Sequence, residues 1–330
     1  MSGRWAFAAA TLCLAAGLAS AGEPPMPTTL KPPADAEPAV QLPVPVPTLG
    51  GGQFWGDVLL DAGYRVQHRV GTDDQYRLLS PSDVRLAYGS FEDCRRALSV
   101  VRERDDVPET TGEVVILIHG ILRSSKSMAR ITRAFRESGV TPLPFDYPST
   151  RVPIEESAAY LRRAIDNLPA GVTKVSFVVH SMGGLVVRTY LRGEPDPRLH
   201  RLVMIGVPNS GANLASIFKD VGLYRLFYGP AGQELIDGEA APAAALPTPT
   251  LEFACIAGSR GSDNGFNPLV PGDDDGTVPV ASARLKGACD FLAVRGLHSS
   301  LIMQANVADA AVRFVTTGCL HESGECDPVR

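Results

Sequence analysis

The sequence has no excess of positive charge. Its 31 Lys and Arg residues are outnumbered by 36 Asp and Glu residues, which gives a formal net charge of −5 over 330 residues. A chain that binds nucleic acid or an anionic membrane surface through electrostatics carries a clear basic surplus. The composition therefore favours neither partner. With 45% hydrophobic and 20% charged residues, the balance is that of a globular protein with one large domain or two small ones.

Cysteine is also scarce, and no cysteine spacing is typical of a metal site. One of the six cysteines lies near the N-terminus, in the segment interpreted below as a leader. In an exported chain the remaining odd number leaves at least one thiol without a disulfide partner. Cys319 and Cys326 are the first candidate pair, followed by Cys255 and Cys289. Alternatively, Cys94 and Cys255 are small buried hydrophobic residues.

Residues 1–21 have the pattern of a signal peptide. Arg4 provides a short basic region, residues 5–18 form an apolar, alanine-rich stretch, and residues 19–21 (Ala-Ser-Ala) fit a cleavage site before Gly22. The alternative is an uncleaved anchor, since the apolar stretch is nearly long enough to span a bilayer. The small residues at its end favour cleavage. We therefore expect an exported protein, either periplasmic or secreted.

The rest of the chain divides by composition into four segments. Residues 22–50 are rich in proline and alanine and are predicted to be a disordered linker. Residues 51–318 are predicted to form the folded domain. Within it, residues 207–249 interrupt the regular pattern and are too apolar for a solvated loop, so they are a candidate lid; the alternative is extra packing on the sheet. Residues 319–330 are a C-terminal tail with the candidate disulfide.

From residue 113 onward, apolar strands alternate with amphipathic helices. Such a pattern predicts a mostly parallel, doubly wound sheet covered by helices on both faces. In sheets of this kind the chemistry lies at the carboxyl ends of the strands. The predicted strands cover residues 113–119, 141–145, 174–179, 201–205, 252–257 and 290–294, and the predicted helices cover 127–137, 154–168, 183–192 and 300–316. Two further strands (64–69 and 76–79) and a helix with a capping box at Ser90 and Asp93 precede them.

Ser181 is the candidate nucleophile. An apolar run from Lys174 leads into His180-Ser181-Met182-Gly183-Gly184, which predicts a strand, a sharp turn and the start of a helix. A serine at that turn presents its hydroxyl outside the sheet, next to the first N–H groups of the helix. The alternative is an ordinary serine after a strand. The motif differs from G-x-S-x-G, because Val179 replaces its first glycine.

A base and an acid follow later strands in the order that a serine nucleophile requires. His298 follows the last predicted strand and is the candidate base; the alternative is a surface residue capping a helix. Asp275 follows the strand before it and is the preferred acid, with Asp273 or Asp274 as alternatives. A calcium loop would need ligands at alternate positions and a distant glutamate, which this aspartate run lacks.

The backbone N–H groups of Met182 and Ile121 are the candidate oxyanion hole. Met182 begins the helix after Ser181. Gly120 allows the chain to bend so that the N–H of Ile121 points inward. The neighbouring turn residues His119, Gly120, His180 and Gly183 are candidate supports of the site.

These motifs together resemble the α/β-hydrolase family, in particular its lipases and esterases. The resemblance covers roughly residues 113–316 and rests on Leu117–Ile121, Val179–Gly184, Val207–Gly211, Asp275–Pro279 and His298. It implies an α/β-hydrolase fold with a small lid insertion. It also implies ester hydrolysis through an acyl-enzyme, without a metal or organic cofactor.

The predicted function is therefore that of an exported serine hydrolase acting on carboxylic esters, with Ser181, His298 and Asp275 as its triad. The apolar residues between 214 and 228 favour a lipid-like acyl ester as substrate and transient contact with a lipid interface. A thioesterase or an acyltransferase with the same triad is an alternative. So is a non-catalytic lipid-binding protein on the same fold. The sequence does not indicate an oligomeric state.

Overall fold

The computed structural model describes residues 46–47, 52–194, 196–211, 230–231 and 243–330. The predicted signal peptide, most of the linker 22–50 and most of the candidate lid 207–249 lie outside these residues. No helix within the described ranges is long and apolar enough to cross a membrane.

The N-terminal part forms an antiparallel sheet of its own. Its strands are β1 (Val46–Pro47), β2 (Trp55–Asp61), β3 (Tyr64–Arg69), β4 (Tyr76–Leu79) and β5 (Val84–Gly89), in the order β1-β5-β4-β3-β2. The predicted strands 64–69 and 76–79 agree with β3 and β4 residue for residue, whereas β2 and β5 were not predicted. Val46 and Pro47 belong to the predicted disordered linker, but they pair with β5, with Val46 opposite Arg85.

Helix α1 (Phe91–Asp105) follows this sheet and has the predicted capping box. The Ser90 hydroxyl accepts a hydrogen bond from the Asp93 N–H, and the Asp93 carboxylate accepts one from the Ser90 N–H. Both bonds satisfy donors that the first helical turn leaves unpaired. The buried side of α1 carries Cys94, Leu98 and Val101, which join the larger of the two hydrophobic cores.

The central sheet has six parallel strands. They are β6 (Gly112–Ile118), β7 (Thr141–Phe145), β8 (Val172–His180), β9 (Leu199–Ile205), β10 (Glu252–Ser259) and β11 (Asp290–Arg295), in the order β11-β10-β9-β8-β6-β7. Each strand is apolar over most of its length because helices cover the sheet on both sides. From β6 the chain first adds β7 on one side and then adds β8 to β11 on the other side. Parallel sheets of this class place their functional sites where the order of strands switches sides, here between β6 and β8.

Among the described residues, five helices complete this part: α2 (Ala129–Ser138), α3 (Ile154–Asp166), α4 (Met182–Tyr190), α5 (Val280–Ala283) and α6 (Ala305–Thr317). The larger core contains buried residues of α3 and α4 with one face of the sheet. The smaller core contains buried residues of α2 and α6 with the other face. The predicted doubly wound α/β architecture is therefore confirmed.

The C-terminal tail is held against the start of β11 by Asp290, whose carboxylate accepts the N–H groups of Leu320 (2.6 Å) and Asp327 (2.7 Å). Cys319 and Cys326 lie beside it, and both are free thiols in the structure, as are Cys94, Cys255 and Cys289. Donor atoms of Asp290, Cys319 and Cys326 lie within 4.8 Å of one another. The disulfide between the two tail cysteines stays a prediction.

Candidate active site

Ser181 occupies a strained turn between β8 and α4. Its φ is +55° and its ψ is −128°, a combination that L-residues adopt only when the surrounding structure imposes it. The Ser181 N–H is bonded to the Ile205 carbonyl of β9 at 2.9 Å, which fixes the turn to the neighbouring strand. The predicted strand–turn–helix around this serine is present in the structure.

Ser181, His298 and Asp275 form a continuous chain of hydrogen bonds. The Ser181 Oγ lies 2.9 Å from His298 Nε2, and His298 Nδ1 lies 2.7 Å from Asp275 Oδ2. Because a carboxylate only accepts, Nδ1 carries the ring proton and Nε2 is free to accept the serine proton. The structure thus brings the predicted nucleophile, base and acid together across 117 and 23 residues of sequence.

Asp275, and not its two neighbours, faces His298. Its Oδ1 accepts the N–H groups of Thr277 (3.0 Å) and Val278 (2.7 Å), which leaves Oδ2 for the imidazole. Asp273 instead accepts hydrogen bonds from Ser259 and Arg260. Asp274 is buried and accepts the N–H groups of Asn267 and Gly276, so it closes the loop rather than joining the triad.

Two glycines provide the space for the acid–base pair, and no sequence pattern had singled them out. A Cβ on Gly258, in β10, would lie 2.5 Å from the Asp275 Cβ. A Cβ on Gly206, directly after β9, would lie 3.2 Å from His298 Nδ1. The sequence signal for these positions is a glycine at the carboxyl end of each of two adjacent strands. That signal points to the acid–base pair only once the side chains that pack against the glycines are known.

The two candidate oxyanion donors belong to residues next to Ser181 or next to a glycine that lies against it. Met182 is the first residue of α4, where the N–H has no acceptor within the helix. Ile121 follows Gly120, and a Cβ on Gly120 would lie 3.0 Å from the Ser181 Cβ. A Cβ on Gly183 would lie 2.8 Å from the His119 carbonyl oxygen. The two glycines therefore allow the turn after β6 to approach the start of α4.

The two supporting histidines have different roles in the packing. His180 Nε2 donates to the His298 carbonyl at 3.1 Å, and the two rings lie 4.7 Å apart. Burial and the nearby His298 lower the pKa of His180 well below its ordinary value, so its ring is neutral. His119 stacks on Tyr147 at 4.5 Å and accepts the Tyr147 hydroxyl on its carbonyl oxygen at 2.8 Å. The His180 ring thus contacts the backbone of His298, and His119 Nδ1 lies 2.7 Å from the Gly120 carbonyl oxygen.

Asp146, which the sequence did not indicate, braces the turn that follows β6. Its carboxylate accepts the N–H (2.7 Å) and hydroxyl (2.8 Å) of Ser125 and is paired with Arg65, while His119 Nε2 lies 3.4 Å away. Burial alone would raise the pKa of Asp146, but its contacts with His119 and Arg65 lower that pKa below its ordinary value. The antiparallel sheet thereby supports the oxyanion turn through Arg65.

Asp57 lies beneath this ion pair and is fully buried. It accepts hydrogen bonds from the Gln67 side chain (2.7 Å) and the Asp146 N–H (2.6 Å), and Arg65 is 3.8 Å away. Burial outweighs these contacts and raises the pKa of Asp57 from 3.8 to about 7. The folded protein therefore retains a proton on Asp57 at pH values at which the unfolded chain has lost it.

We expect the unfolding free energy of wild type, relative to Asp57→Asn, to fall as pH rises from about 4 to about 7. The folded state binds more protons in this window, and the variant removes that difference. The fall should be at least about 1 kcal/mol, roughly the value of one pKa unit. Urea denaturation at several pH values measures it. The exposed Asp309→Asn variant is the control. If the difference in unfolding free energy from wild type did not change with pH for either variant, the expectation would be contradicted.

Val179, in place of the usual glycine, is accommodated by the larger core. It is fully buried and pairs with Ile118 of β6 and Met204 of β9. The close approach in this region occurs at Gly184 instead, where a Cβ would lie 2.4 Å from the Val207 side chain. Helix α4 can therefore pack on the sheet with a valine at position 179.

Gly184→Ala is expected to destabilise the fold by about 1–3 kcal/mol, because the new methyl group overlaps a β-branched side chain that has little freedom to move. Thermal or urea unfolding measures the loss. The matched test is the double variant Gly184→Ala with Val207→Ala, which should be more stable than the sum of the single losses predicts. Strict additivity would show that the two side chains do not compete for the same space.

The two ends of the candidate lid meet at Arg188 of α4, which is 1% exposed. Its guanidinium donates to the carbonyl (3.3 Å) and side-chain oxygen (3.2 Å) of Asn209, and to the carbonyls of Ala243 (3.2 Å) and Leu246. Asn209 Nδ2 donates to the Ala283 carbonyl at 3.0 Å. The buried guanidinium of Arg188 thus connects residue 209, near the start of the candidate lid, to residues 243–246, near its end.

Solved structures with similar folds include the mature form of Bacillus licheniformis lipase BlEst2, 20% identical, covering 59% of this chain and 88% of that one, with a TM-score of 0.45. Legionella pneumophila phospholipase PlaB is 16% identical over 61% and 57% of the two chains, with a TM-score of 0.47. The metagenomic carboxyl esterase MGS0156 is 21% identical over 58% and 66%, with a TM-score of 0.44. No protein-family model and no curated protein matches the sequence.

The fold follows from the arrangement of the chain itself. Six parallel strands carry a serine at the turn after β8, an aspartate in the loop after β10 and a histidine after β11, with helices on both faces. This order of elements and residues is the one that the sequence motifs predicted. The chain has the α/β-hydrolase fold.

Proposed function

We propose that the protein is a serine hydrolase that cleaves carboxylic esters through an acyl-enzyme. The observation that carries the proposal is the hydrogen-bonded chain from Ser181 through His298 to the buried Asp275. A serine hydroxyl is a weak nucleophile unless a base removes its proton and a third group orients that base. The three groups lie at hydrogen-bond distance from one another, and a His298 ring that is protonated on Nδ1 can take the proton of Ser181 on Nε2.

In the first half of the proposed reaction, Ser181 Oγ attacks the ester carbonyl while His298 Nε2 takes its proton. The negative charge that develops on the carbonyl oxygen is stabilised by the N–H groups of Ile121 and Met182. Asp275 stabilises the imidazolium without taking its proton. His298 then protonates the leaving alcohol, and the acyl group stays on Ser181.

In the second half, a water molecule takes the place of the alcohol. His298 removes a proton from this water, which attacks the acyl carbonyl, and the same two N–H groups hold the oxyanion. Collapse of the intermediate returns the proton to Ser181 and releases the carboxylic acid. Neither half requires a metal or organic cofactor. A thiol ester, or a second alcohol in place of water, would use the same groups, so thioesterase and acyltransferase activity are the alternative functions.

Labelling with a fluorophosphonate probe tests the proposal. The probe reacts with an activated serine, and we expect one adduct, located on Ser181 by peptide mass spectrometry. Ser181→Ala is the matched control and should not be labelled. Absence of labelling in the wild type would favour a non-catalytic lipid-binding protein. Equal labelling of the variant would show that the reactive residue is not Ser181.

We further propose that the acyl group of the substrate is lipid-like and meets the protein at a lipid interface. Support comes from the apolar composition of the sequence between 214 and 228, in the segment whose ends Arg188 holds. A series of p-nitrophenyl esters from acetate to palmitate measures the preference. A maximum in kcat/KM at medium or long chains supports a lipid-like substrate, and a sharp preference for acetate contradicts it.

We also propose that the protein is exported and acts outside the cytoplasm. The support is the basic, apolar and small-residue pattern of residues 1–21. The full-length chain expressed in a Gram-negative host should be recovered from the periplasm or medium with Gly22 as its N-terminal residue. Recovery with Met1 intact in the membrane fraction would indicate the uncleaved anchor instead.

A further inference from the structure

A polar cavity of about 510 Å³ lies beside the oxyanion turn. Leu122 and Arg123, which directly follow the candidate donor Ile121, line it, as do Arg65, Gln67 and Arg77 of β3 and β4. Lys126 lies at the exposed rim. The volume is within the range of small-molecule sites. Its lining includes several charged side chains (Arg65, Arg77, Asp83, Arg123, Lys126 and Asp146), which favour a charged ligand.

Two of the guanidinium groups that line this cavity form no ion pair with any described carboxylate. Arg77 is only 8% exposed, and its Nε and Nη2 donate to the neutral side-chain oxygen of Gln67 (2.9 and 2.7 Å). Its guanidinium also lies over the face of the Trp55 ring, at 4.2 Å, and the charges of Asp57 and Asp146 act on it from beyond ion-pair distance. A buried cation is ordinarily compensated by a carboxylate or a bound anion. Arg123 likewise has no ion-pair partner in the described part of the chain.

The acidic groups around the cavity are already engaged. Asp146 is paired with Arg65 and bonded to Ser125, and Asp83 is paired with Arg65 and Lys126. The cavity therefore presents the positive charges of Arg77 and Arg123 to whatever enters it. Guanidinium groups bind phosphate and carboxylate with two parallel hydrogen bonds, so an anion would fit the donors that this cavity offers.

The cavity also lies close to the triad. Arg123 is two residues from Ile121, and its charge acts on His180, the residue before Ser181. Tyr147, on the cavity wall, donates its hydroxyl to the His119 carbonyl. A ligand held in the cavity would therefore border the turn that carries the oxyanion donor.

We propose that this cavity binds an anionic head group, a phosphate or a carboxylate, on the substrate ester. The inference rests on the proposed esterase function, because the head group would be part of the ester whose carbonyl reaches Ser181. Arg77 provides the buried charge, and Arg123 provides a charge two residues along the chain from the candidate oxyanion donor Ile121. The acyl chain would lie outside this cavity.

Calorimetric titration of the full-length Ser181→Ala protein with hexyl phosphate tests the proposal, because binding in this variant needs no hydrolysis. We expect saturable binding, weakened about tenfold or more when Arg77→Gln or Arg123→Gln is added, as is typical for loss of a charged hydrogen bond. Arg123 is partly exposed, so its variant remains informative if Arg77→Gln does not fold. The exposed Arg130→Gln is the matched control and should bind as the parent does.

The other outcomes would overturn the proposal. Absence of binding, or equal binding with and without the arginine substitutions, would show that the cavity takes no anion. Inorganic phosphate binding as tightly as hexyl phosphate would indicate a site for free phosphate instead of a head-group site. In the active protein, hexyl phosphate should raise KM for a p-nitrophenyl ester without lowering kcat. Ester hydrolysis with no such competition would leave the esterase function standing while contradicting the head-group site.

Discussion

Ser181→Ala is expected to lower kcat for ester hydrolysis by about 10⁴-fold or more, since the reaction loses the nucleophile and not merely an orienting contact. The fold should be retained, because among the described residues the Ser181 hydroxyl is hydrogen-bonded to His298 alone. Steady-state kinetics on a p-nitrophenyl ester and near-ultraviolet circular dichroism measure the two effects. Ser176→Ala, at a buried serine of β8, the strand that leads into Ser181, is the matched control and should keep full activity.

The variant Ser181→Gly distinguishes the cost of backbone strain at position 181 from the loss of the hydroxyl. Glycine adopts positive φ without steric cost, whereas alanine keeps the strain of the φ of +55° that this turn imposes. The glycine variant should therefore be inactive yet more stable than the alanine variant by about 1–2 kcal/mol. If the alanine variant retained more than a few per cent of wild-type activity, another residue would have to be the nucleophile.

Asp275→Asn has the second-largest expected effect, a loss of about 10⁴-fold in kcat. The N–H groups of Thr277 and Val278 hold one side-chain oxygen in place, so the new amide would direct its NH₂ group at His298 Nδ1. That nitrogen must then accept, and the ring proton moves to Nε2, which can no longer take the proton of Ser181. Affinity for substrate should change little, so the loss appears in kcat instead of KM.

Asp273→Asn is the control for this prediction. Asp273 is two residues away and contacts Ser259 and Arg260 instead of His298, so its amide variant leaves the tautomer of the imidazole unchanged. We expect near wild-type kcat. Rates of fluorophosphonate labelling should follow the same order, with Asp275→Asn slow and Asp273→Asn normal. Equal losses in the two variants would assign the effect to the loop and not to the acid.

The parts of the fold that local patterns determine were predictable. The capping box at Ser90, the strand 141–145 and the turn at Ser181 each depend on a few consecutive residues, and the structure contains all three. The order of serine, acid and base along the chain followed from the rule that chemistry lies after parallel strands. Asp275 could be preferred over its neighbours, but only the hydrogen bonds of Thr277 and Val278 explain why its side chain turns inward.

The parts that depend on distant partners were not predictable. Arg65 and Asp146 are 81 residues apart, and the Asp57 carboxylate accepts an N–H 89 residues away. Hydrophobic periodicity does not indicate contacts between residues so far apart. The sequence therefore does not predict the Arg65–Asp146 ion pair that supports the oxyanion turn. The sequence also does not predict that β1 to β5 form a sheet of their own. A strand pattern such as that of residues 64–69 indicates a strand but does not specify which strand it pairs with.

The anchoring of residues 209 and 243–247 by Arg188 has an evolutionary consequence. Because one side chain of the sheet-packed helix α4 binds residues near both ends of the candidate lid, that segment begins and ends at fixed points. Length and composition between these points can then diverge among descendants without disturbing the triad. The position is a natural junction for exchange of whole segments, and selectivity could evolve there independently of the catalytic machinery.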